Sequence, residues 1–406
     1  SLLDDVPARV RMVRARTWEP GYAAKRTIAA NSSGAANEFG ARGWPRRALR
    51  RAANFLLQPD AQILWWPAAV RAGTQLLRRT PHDVIVASGP PFSTLLVGAS
   101  ISRRTGVPLV LDYRDEWDLS NRYWENKQFD RVSLALQRKL QARVARQARL
   151  MIATSRPSAA ALEKVRDRSG SPARVACLYN GFDPDDFRHL SEVDGTVADR
   201  YRLVYVGTLW NLTTVGPLVE AVIRLARQRP ELASRLELVF AGRRTPAEQQ
   251  ILARLEDLPC RLTRLDYLDH DEATRLMRSA HALCLLLADL PGAERVVPAK
   301  IFEYMAAGRS ILAIAPPGEV HELLKDHPGA TCVSPQDVSH ICERLETALR
   351  RHGEGSLPLP ASVATSDSPF SRKRQAAELA ALLDEVIGTQ AVDAPASHPA
   401  WAAVGA

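Results

Sequence analysis

The sequence predicts an α/β protein made of two domains, each built on a parallel sheet, and three observations support this prediction. Short apolar segments of strand length alternate with longer amphipathic segments along most of the chain, as in βαβ units. The alternation stops at a polar, turn-rich segment near 183–200 and then restarts. A length of 406 residues also suffices for two domains that each bury a core.

The predicted strands define two Rossmann-like domains of about equal size. Each strand is an apolar run bounded by glycine, proline or polar residues. In chain order the runs are 10–17, 82–89, 107–115, 148–155, 174–182, 201–208, 236–243, 260–268, 280–288, 310–316 and 330–335. The predicted organisation is a first domain at 1–185, a linker at 186–200, a second domain at 201–365, an amphipathic helix at 366–388 and a disordered tail at 389–406.

Composition restricts the function only coarsely. The net charge of +9 and the pI of about 9.6 are typical of proteins with a phosphate-bearing partner, an anionic membrane surface or nucleic acid, and also of a solvated arginine-rich surface. No nucleic-acid-binding module accompanies the charge, so we expect no nucleic-acid partner. The five cysteines form no CxxC pair, and no apolar run reaches the about 18–20 residues of a spanning helix. We therefore expect free thiols in a reducing cytoplasm.

The segment RVVPAKIFEYMAAGRSILAI at 295–314 predicts a short helix over 298–307 followed by a strand. Pro298 suits the first helical turn, and Gly308 suits the position after the helix, where φ is usually positive. At about 100° per residue, one face carries Ile301, Phe302, Met305 and Ala306, and the other carries Lys300, Glu303, Tyr304 and Ala307. We expect the first face to pack on the sheet and the second to face the crevice beyond the strand ends.

Lys300 and Glu303 together indicate a site for a nucleotide. The helix N-terminus and the Lys300 ammonium both favour a phosphate group. Glu303, one turn later, can accept two hydrogen bonds from a vicinal diol such as that of ribose, and a nucleoside diphosphate offers both groups. The alternative is an ordinary ion pair between Lys300 and Glu303 within the helix.

Motifs in both halves of the chain resemble those of a known enzyme family. NGFD at 180–183 precedes the linker, and the second half contains YVGTL at 205–209 and VPAKIFEYMAAGRSILAI at 297–314. The first half contains HDVIVASGPPFSTLLVGA at 82–99 and PLVLDYRDEWDLS at 108–120. Together they resemble retaining glycosyltransferases of the GT-B fold, in particular the exopolysaccharide and O-antigen members of glycosyltransferase family four. The resemblance spans roughly residues 1–388 and implies two Rossmann-like domains that face each other across a cleft, with a C-terminal crossover helix.

The resemblance implies roles for residues of the second domain. The residues expected to contact the nucleotide sugar are Gly207, Thr208, Gly242, Tyr267, Leu268, Lys300 and Glu303. Within this set, the two glycines would let the backbone approach the diphosphate, Tyr267 and Leu268 would border the base, and Glu303 would bind the ribose. Lys300 and Arg243 would stabilise the leaving diphosphate. An ordinary turn or surface role remains open for all of these except Glu303.

In the first domain the resemblance directs attention to the loop that follows the strand at 107–115. Asp112, Arg114, Asp115 and Trp117 are expected on the acceptor side of the cleft. Asp115 or Asp112 would hydrogen-bond the acceptor, and we include Asp115 among the catalytic residues. The alternative is a local salt bridge of these carboxylates with Arg114 that only fixes the loop.

Three features depart from the family pattern. The family commonly has two glutamates with seven residues between them, but counting back from Glu303 the position of the first is Arg295, and Glu294 is shifted by one. The loop after the first strand of the second domain, VGTLWNLTTVG at 206–216, carries no cation. The family's first strand, glycine-rich loop and helix have no counterpart in this sequence, so we expect the first domain to be incomplete at its start.

The implied reaction is transfer of a sugar, with retention, from a UDP- or GDP-type nucleotide sugar to an acceptor hydroxyl. No metal or other cofactor is required if the cations neutralise the diphosphate. The expected acceptor is a glycan or polyprenyl-linked intermediate of polysaccharide biosynthesis in a bacterium. The arginines and aromatic residues of 43–70 indicate peripheral contact with the inner face of the plasma membrane, although these aromatics could equally form part of the core.

Two other functions remain open at this stage. A sugar-nucleotide 2-epimerase of GT-B fold would bind the same nucleotide but needs carboxylate and histidine acid–base groups around the sugar. A non-catalytic nucleotide-binding fragment would keep the site without the transfer.

Overall fold

The computed structural model describes residues 6–7, 9–17, 57–123, 131–188, 199–357 and 364–388. The predicted tail at 389–406 lies outside these residues, as do most of the predicted linker at 186–200 and the first part of the segment 43–70. Among the described residues, no helix is both long enough and apolar enough to cross a membrane.

The chain divides into two compact units. The first comprises the described residues of 1–153, 159–176 and 383–390, and the second comprises those of 154–158 and 177–382. The predicted division at 185 differs from this one because the segment around Phe182 pairs with the second unit: its amide donates to the carbonyl of Phe370, and its carbonyl accepts from the amide of Arg372.

The first sheet has four parallel strands in the order β1-β2-β3-β4. They are β1 (Ile85–Gly89), β2 (Leu109–Tyr113), β3 (Leu150–Ala153) and β4 (Arg174–Cys177). The helices between residues 66 and 169 are α1 (Trp66–Arg79), α2 (Ser93–Thr105), α3 (Trp117–Tyr123), α4 (Arg131–Gln147) and α5 (Arg156–Ser169), and the short helix α6 (Asp185–Arg188) follows in the second unit. Strand β2 is buried at every position, as expected for a parallel strand with covered faces.

The second sheet has six parallel strands in the order β10-β9-β8-β5-β6-β7. They are β5 (Tyr201–Val206), β6 (Leu236–Ala241), β7 (Arg261–Leu265), β8 (Ala282–Leu286), β9 (Ser310–Ile314) and β10 (Ala330–Val333). The helices are α7 (Gly216–Gln228), α8 (Pro230–Ala233), α9 (Pro246–Ala253), α10 (His270–Arg278), α11 (Lys300–Ala306), α12 (Glu319–Leu324), α13 (Val338–Gly353) and α14 (Arg372–Ile387).

The strand order of the second sheet creates a topological switch point. The chain passes from β5 outward through β6 to β7, and then returns to place β8 on the other side of β5. Connections leave β5 and β8 in opposite directions, so a crevice forms at the carboxyl ends of these two strands. Ligands of open α/β sheets bind in such a crevice.

The structure corrects one predicted strand and places the last helix. Residues 10–17 form no strand, and Val10, Met12 and Val13 are about half exposed. The apolar alternation of this segment therefore does not correspond to a covered sheet face. Helix α14 begins in the second unit, and its residues from Leu383 group with the first unit.

Candidate functional site

Two glycine turns meet at the switch-point edge of the second sheet. Gly207 follows β5, and its amide donates to the carbonyl of Ala241 at 2.8 Å. Gly242 follows β6, and its amide donates to the carbonyl of Leu265 at 3.2 Å. Each glycine thus adds one hydrogen bond to the sheet at the point where the chain turns away from its strand.

Both turns require glycine. Gly207 has φ 138° and Gly242 has φ 121°, a region that side chains rarely allow. A Cβ on Gly242 would lie 2.3 Å from the carbonyl oxygen of Gly207. A Cβ on Gly207 would lie 2.4 Å from the Nζ atom of Lys300. The turns therefore pack against each other and leave their backbone open beside the lysine.

Lys300, the first residue of α11, carries its ammonium back to the end of β5. Its Nζ donates to the hydroxyl of Tyr205 at 2.7 Å and lies 3.9 Å from the centre of the same ring. Burial is the main cause that lowers the pKa of the Lys300 ammonium to about 7, and the nearby Glu303 opposes it. The position of this ammonium is set by the tyrosine and not by Glu303.

Two tyrosines that were not predicted as site residues fix this geometry. The hydroxyl of Tyr205 donates to the carbonyl of Thr208 at 2.8 Å, and the hydroxyl of Tyr304 accepts from the amide of Val206 at 3.0 Å. Tyr304 and Ala307 are buried, so part of the helix face that was predicted to look toward the crevice is packed against protein. No local sequence pattern identifies Tyr205, because its contact with Lys300 joins residues 95 positions apart.

The predicted end of this helix is confirmed, but its predicted start is not. Pro298 lies before the first residue of α11, because the helix starts at Lys300, whereas Gly308 has the expected positive φ, at 65°.

Glu303 lies one turn after Lys300, and within the described residues the two form no ion pair. The carboxylate of Glu303 is half-buried, and burial raises its pKa, while the positive charges of His270 and Arg372 oppose that shift. His270 in turn pairs with Asp186, with its Nε2 2.8 Å from Oδ2. Although burial lowers the pKa of His270, this hydrogen bond and the surrounding carboxylates raise it overall. Sequence reasoning missed both His270 and Asp186.

The adjacent residues Arg243 and Arg244 have different environments: Arg243 is exposed, and Arg244 is bonded to the protein. Arg243 is exposed, and among the described residues its side chain has no ion-pair partner. The guanidinium of Arg244 donates to the carbonyls of Gly242 at 2.9 Å and Leu265 at 2.6 Å, and it pairs with Asp266 at 3.1 Å. Arg244 therefore ties the ends of β6 and β7 together, and Arg243 is left available for a ligand.

The loop after β7 adds an aromatic surface to the same edge. Tyr267 is 77 % exposed, which is unusual for a large aromatic side chain, and Leu268 is half-buried beside it. At the other side of the edge, Glu294 is exposed in a short 3₁₀ helix. A Cβ on Gly318 would lie 2.3 Å from the carbonyl oxygen of Glu294, so the loops before α11 and after β9 are in contact.

The first unit places two of the predicted acceptor residues in a local network. Asp112, at the buried end of β2, accepts a hydrogen bond from the Ser88 hydroxyl at 2.8 Å and pairs with Arg114 at 2.9 Å. Its Oδ1 atom is buried without a partner among the described residues. The local salt bridge considered from the sequence is thus present.

The other two acceptor candidates differ in accessibility. Asp115 is exposed, and desolvation by the protein around it raises the pKa of its carboxyl. Trp117 is only 1 % exposed and stacks on Phe92 with ring centres 4.7 Å apart, and its indole N–H donates to Gln137. Its prediction as an acceptor contact is corrected to a core role, because a side chain closed off on all sides offers no surface to a sugar.

Family models match both halves of the chain. A model of glycosyltransferase family 4 matches residues 24–186, and a model of glycosyl transferases group 1 matches residues 200–351. The chain is a GT-B glycosyltransferase that resembles family four. It is therefore a transferase, and the glycine turns, Lys300 and Glu303 lie within the second of the two matched regions.

Solved structures with the same fold share little sequence identity with this glycosyltransferase. Anabaena HepE in complex with UDP is 18% identical and superposes with a TM-score of 0.57, covering 81% of this chain and 85% of that chain. A trehalose-phosphate synthase from Burkholderia xenovorans, in complex with glucose-6-phosphate, is 16% identical with a TM-score of 0.53, covering 80% of this chain and 75% of that one. A comparison with the curated proteins finds no significant match.

Proposed function

We propose that this glycosyltransferase moves a sugar, with retention, from a UDP- or GDP-type nucleotide sugar to the hydroxyl of a lipid-linked glycan in cell-surface polysaccharide biosynthesis. The observation that carries the donor part is the Lys300 ammonium, held by Tyr205 against the open turn at Gly207. An anchored lysine beside bare backbone suits a diphosphate, because Tyr205 already holds its nitrogen in position before the ligand arrives. The UDP and UDP-glucose bound by Anabaena HepE support the same class of donor.

The residues divide the work of binding and charge stabilisation. Lys300 and the free Arg243 stabilise the negative charge that grows on the departing diphosphate, an effect typically worth several kcal/mol in a water-excluded site, on the order of 3 kcal/mol per donor. Glu303 accepts hydrogen bonds from the ribose diol, and exposed Tyr267 offers a ring to the base. These cations would serve the leaving group without a metal ion.

On the acceptor side, the proposal assigns Asp115 to the acceptor hydroxyl and Asp112 with Arg114 to the support of its loop. Asp115 is exposed after β2, so its carboxylate is accessible for a hydrogen bond from an acceptor hydroxyl. We place the enzyme in the cytoplasm, with peripheral contact to the inner face of the plasma membrane through 43–70. A polyprenyl-linked acceptor would be presented at that surface.

A melting-temperature panel with UDP, GDP, dTDP and ADP tests the donor site. A ligand at 100 times its Kd stabilises the folded state by about 2.7 kcal/mol, so one nucleotide should raise the midpoint by several degrees. Glu303→Ala should abolish that gain, whereas the exposed Glu343→Ala on α13, a matched control in the same unit, should keep it. If no nucleotide raises the midpoint, the proposal fails.

Product analysis separates transfer from epimerisation. With the matching nucleotide sugar and a polyprenyl-diphosphate-linked acceptor, the product should keep the donor's anomeric configuration, as read from the coupling of its anomeric proton. Without acceptor, the nucleotide sugar should keep its configuration at C2; inversion there would identify a 2-epimerase.

A further inference from the structure

A cavity lies within the helix layer of the first unit. It has a volume of about 470 Å³, within the range of small-molecule sites, and it is bounded by α1, α2 and α4. Its apolar lining includes Trp66, Leu96 and Leu140, and three arginines surround its mouth: Arg103, Arg143 and Arg146. None of these residues belongs to the proposed sugar-transfer machinery.

The three arginines are exposed, and the structure gives them no carboxylate partner among the described residues. Their helices explain why. Helices α1, α2 and α4 carry three, two and five basic residues and no acidic residue. By contrast, α13 in the second unit carries both signs, and its Arg350 pairs with Glu346 at 2.6 Å. An unneutralised cluster around an apolar cavity is complementary to an anion with a hydrocarbon part.

The apolar features of the same surface favour a lipid over a nucleic acid. The indole N–H of Trp66 shares two long hydrogen bonds, to the carbonyl of Leu96 at 3.4 Å and the hydroxyl of Ser100 at 3.3 Å, which leaves its ring along the cavity wall. On α4, Val132 is 63 % exposed and Leu134 is 37 % exposed. Aliphatic side chains beside arginines are typical of surfaces that contact anionic bilayers.

We propose that this cavity binds an anionic phospholipid, with the phosphate among Arg103, Arg143 and Arg146 and the start of an acyl chain against Trp66 and Leu140. The arginine forks suit phosphate oxygens, and the apolar walls suit methylene groups. The proposal deepens the peripheral membrane contact of the proposed function by naming a discrete lipid site outside the nucleotide site.

The test uses the full chain and dihexanoyl-phosphatidylglycerol below its micellar concentration, titrated by calorimetry. Dihexanoyl-phosphatidylcholine has the same tails without the net charge, and inorganic phosphate has the charge without tails. We expect binding of the phosphatidylglycerol at least about tenfold tighter than of either comparison ligand, since charge-assisted hydrogen bonds and tail burial each contribute. If inorganic phosphate binds as tightly, the site is a phosphate site and the lipid proposal is wrong. If a single-stranded oligonucleotide displaces the lipid, the surface is a nucleic-acid site instead.

Two variants with equal charge change locate the site. Arg103→Gln/Arg143→Gln/Arg146→Gln removes the cavity arginines, and Arg78→Gln/Arg79→Gln/Arg138→Gln removes three exposed arginines of the same helices that do not line the cavity. The first variant should weaken lipid binding at least about tenfold, and the second less than about twofold at physiological ionic strength. Equal losses would mean diffuse attraction and would overturn the proposal.

A third variant, Ala99→Phe, narrows the cavity without a charge change and should also weaken binding of the short-chain lipid. Each variant is first tested for its UDP-dependent rise in melting temperature, which the cavity variants should retain. Retained UDP response with lost lipid binding supports the lipid site alone. Intact lipid binding without a response to UDP, GDP, dTDP or ADP in the unmodified chain would leave the lipid site standing and refute the proposed donor.

Discussion

The side chain of Lys300 titrates near neutral pH, so a bound nucleotide would change its protonation state. Because burial lowers its pKa to about 7, the folded chain binds this proton more weakly than the unfolded chain, whose lysine pKa is about 10.4. The stability that this group contributes is present in full above the unfolded pKa and is lost as pH falls through about 7. Burial favours the neutral amine of Lys300. A bound diphosphate would favour the charged ammonium instead, because it places a negative charge beside it.

Nucleotide binding at about pH 8 should therefore take up close to one proton. Most Lys300 side chains are neutral in the free protein at that pH, and the diphosphate raises their pKa above it. Calorimetry in buffers of different ionisation enthalpy measures the uptake. Lys300→Arg is the matched control: arginine stays charged, so binding should persist without proton uptake. Equal uptake in both proteins would assign the proton to another group.

Lys300 and Glu303 were predictable because a residue's place on a helix follows from its spacing. Their partners were not. Tyr205 reaches Lys300 from a strand 95 residues away in the sequence, and no periodicity links the two. The prediction that Lys300 and Glu303 face the same ligand stays a prediction, although the absence of an ion pair between these two described residues removes the main alternative.

At the scale of the element, the turn after β5 determines how closely a ligand can approach. Gly207→Ala should weaken nucleotide binding about tenfold or more, because the new Cβ would displace the Lys300 ammonium. Positive φ adds a stability cost of about 1–3 kcal/mol. Gly106→Ala is the control: its φ is 78°, but its Cβ would meet nothing within 4 Å. It should cost stability and leave the affinity for the nucleotide unchanged, as measured by titration.

The strands were predictable to the extent that burial on both faces forces a continuous apolar run. Ten of the eleven predicted runs contain a strand of the structure, with trimmed ends. The run at 10–17 satisfies the same pattern, yet a strand also needs a neighbour, and sequence alone does not show whether one is present. Trp117 illustrates a similar limit: its motif suggested a ligand contact, but its packing on Phe92 depends on a segment distant in sequence.

At the scale of the whole molecule, nucleotide contacts are expected only in the second unit. Hydrogen exchange with and without UDP should show slower exchange at the ends of β5 and β6 and at the start of α11, because binding removes local opening there. Peptides from β1 and β2 should change little, and Glu303→Ala should abolish the difference. Protection of equal size in β1 and β2 would show that the first unit also takes part in holding the nucleotide.

The division between the units was the least predictable feature. Composition marked the polar stretch at 183–200, but the boundary follows from long-range hydrogen bonds between Phe182 and residues 370–372. Such pairs leave no local pattern, because each residue alone resembles an ordinary loop position.

The strand order of the second sheet also affects the way the protein is made. During synthesis β5, β6 and β7 leave the ribosome in the order in which they pair, so this half of the sheet can assemble as it emerges. The other edge of β5 has no partner until β8 follows, about 80 residues later, and such distant pairings form slowly. In a nascent chain paused between β7 and β8, the apolar strand β5 would be an exposed edge. A chaperone that covers this edge would therefore help most during this interval.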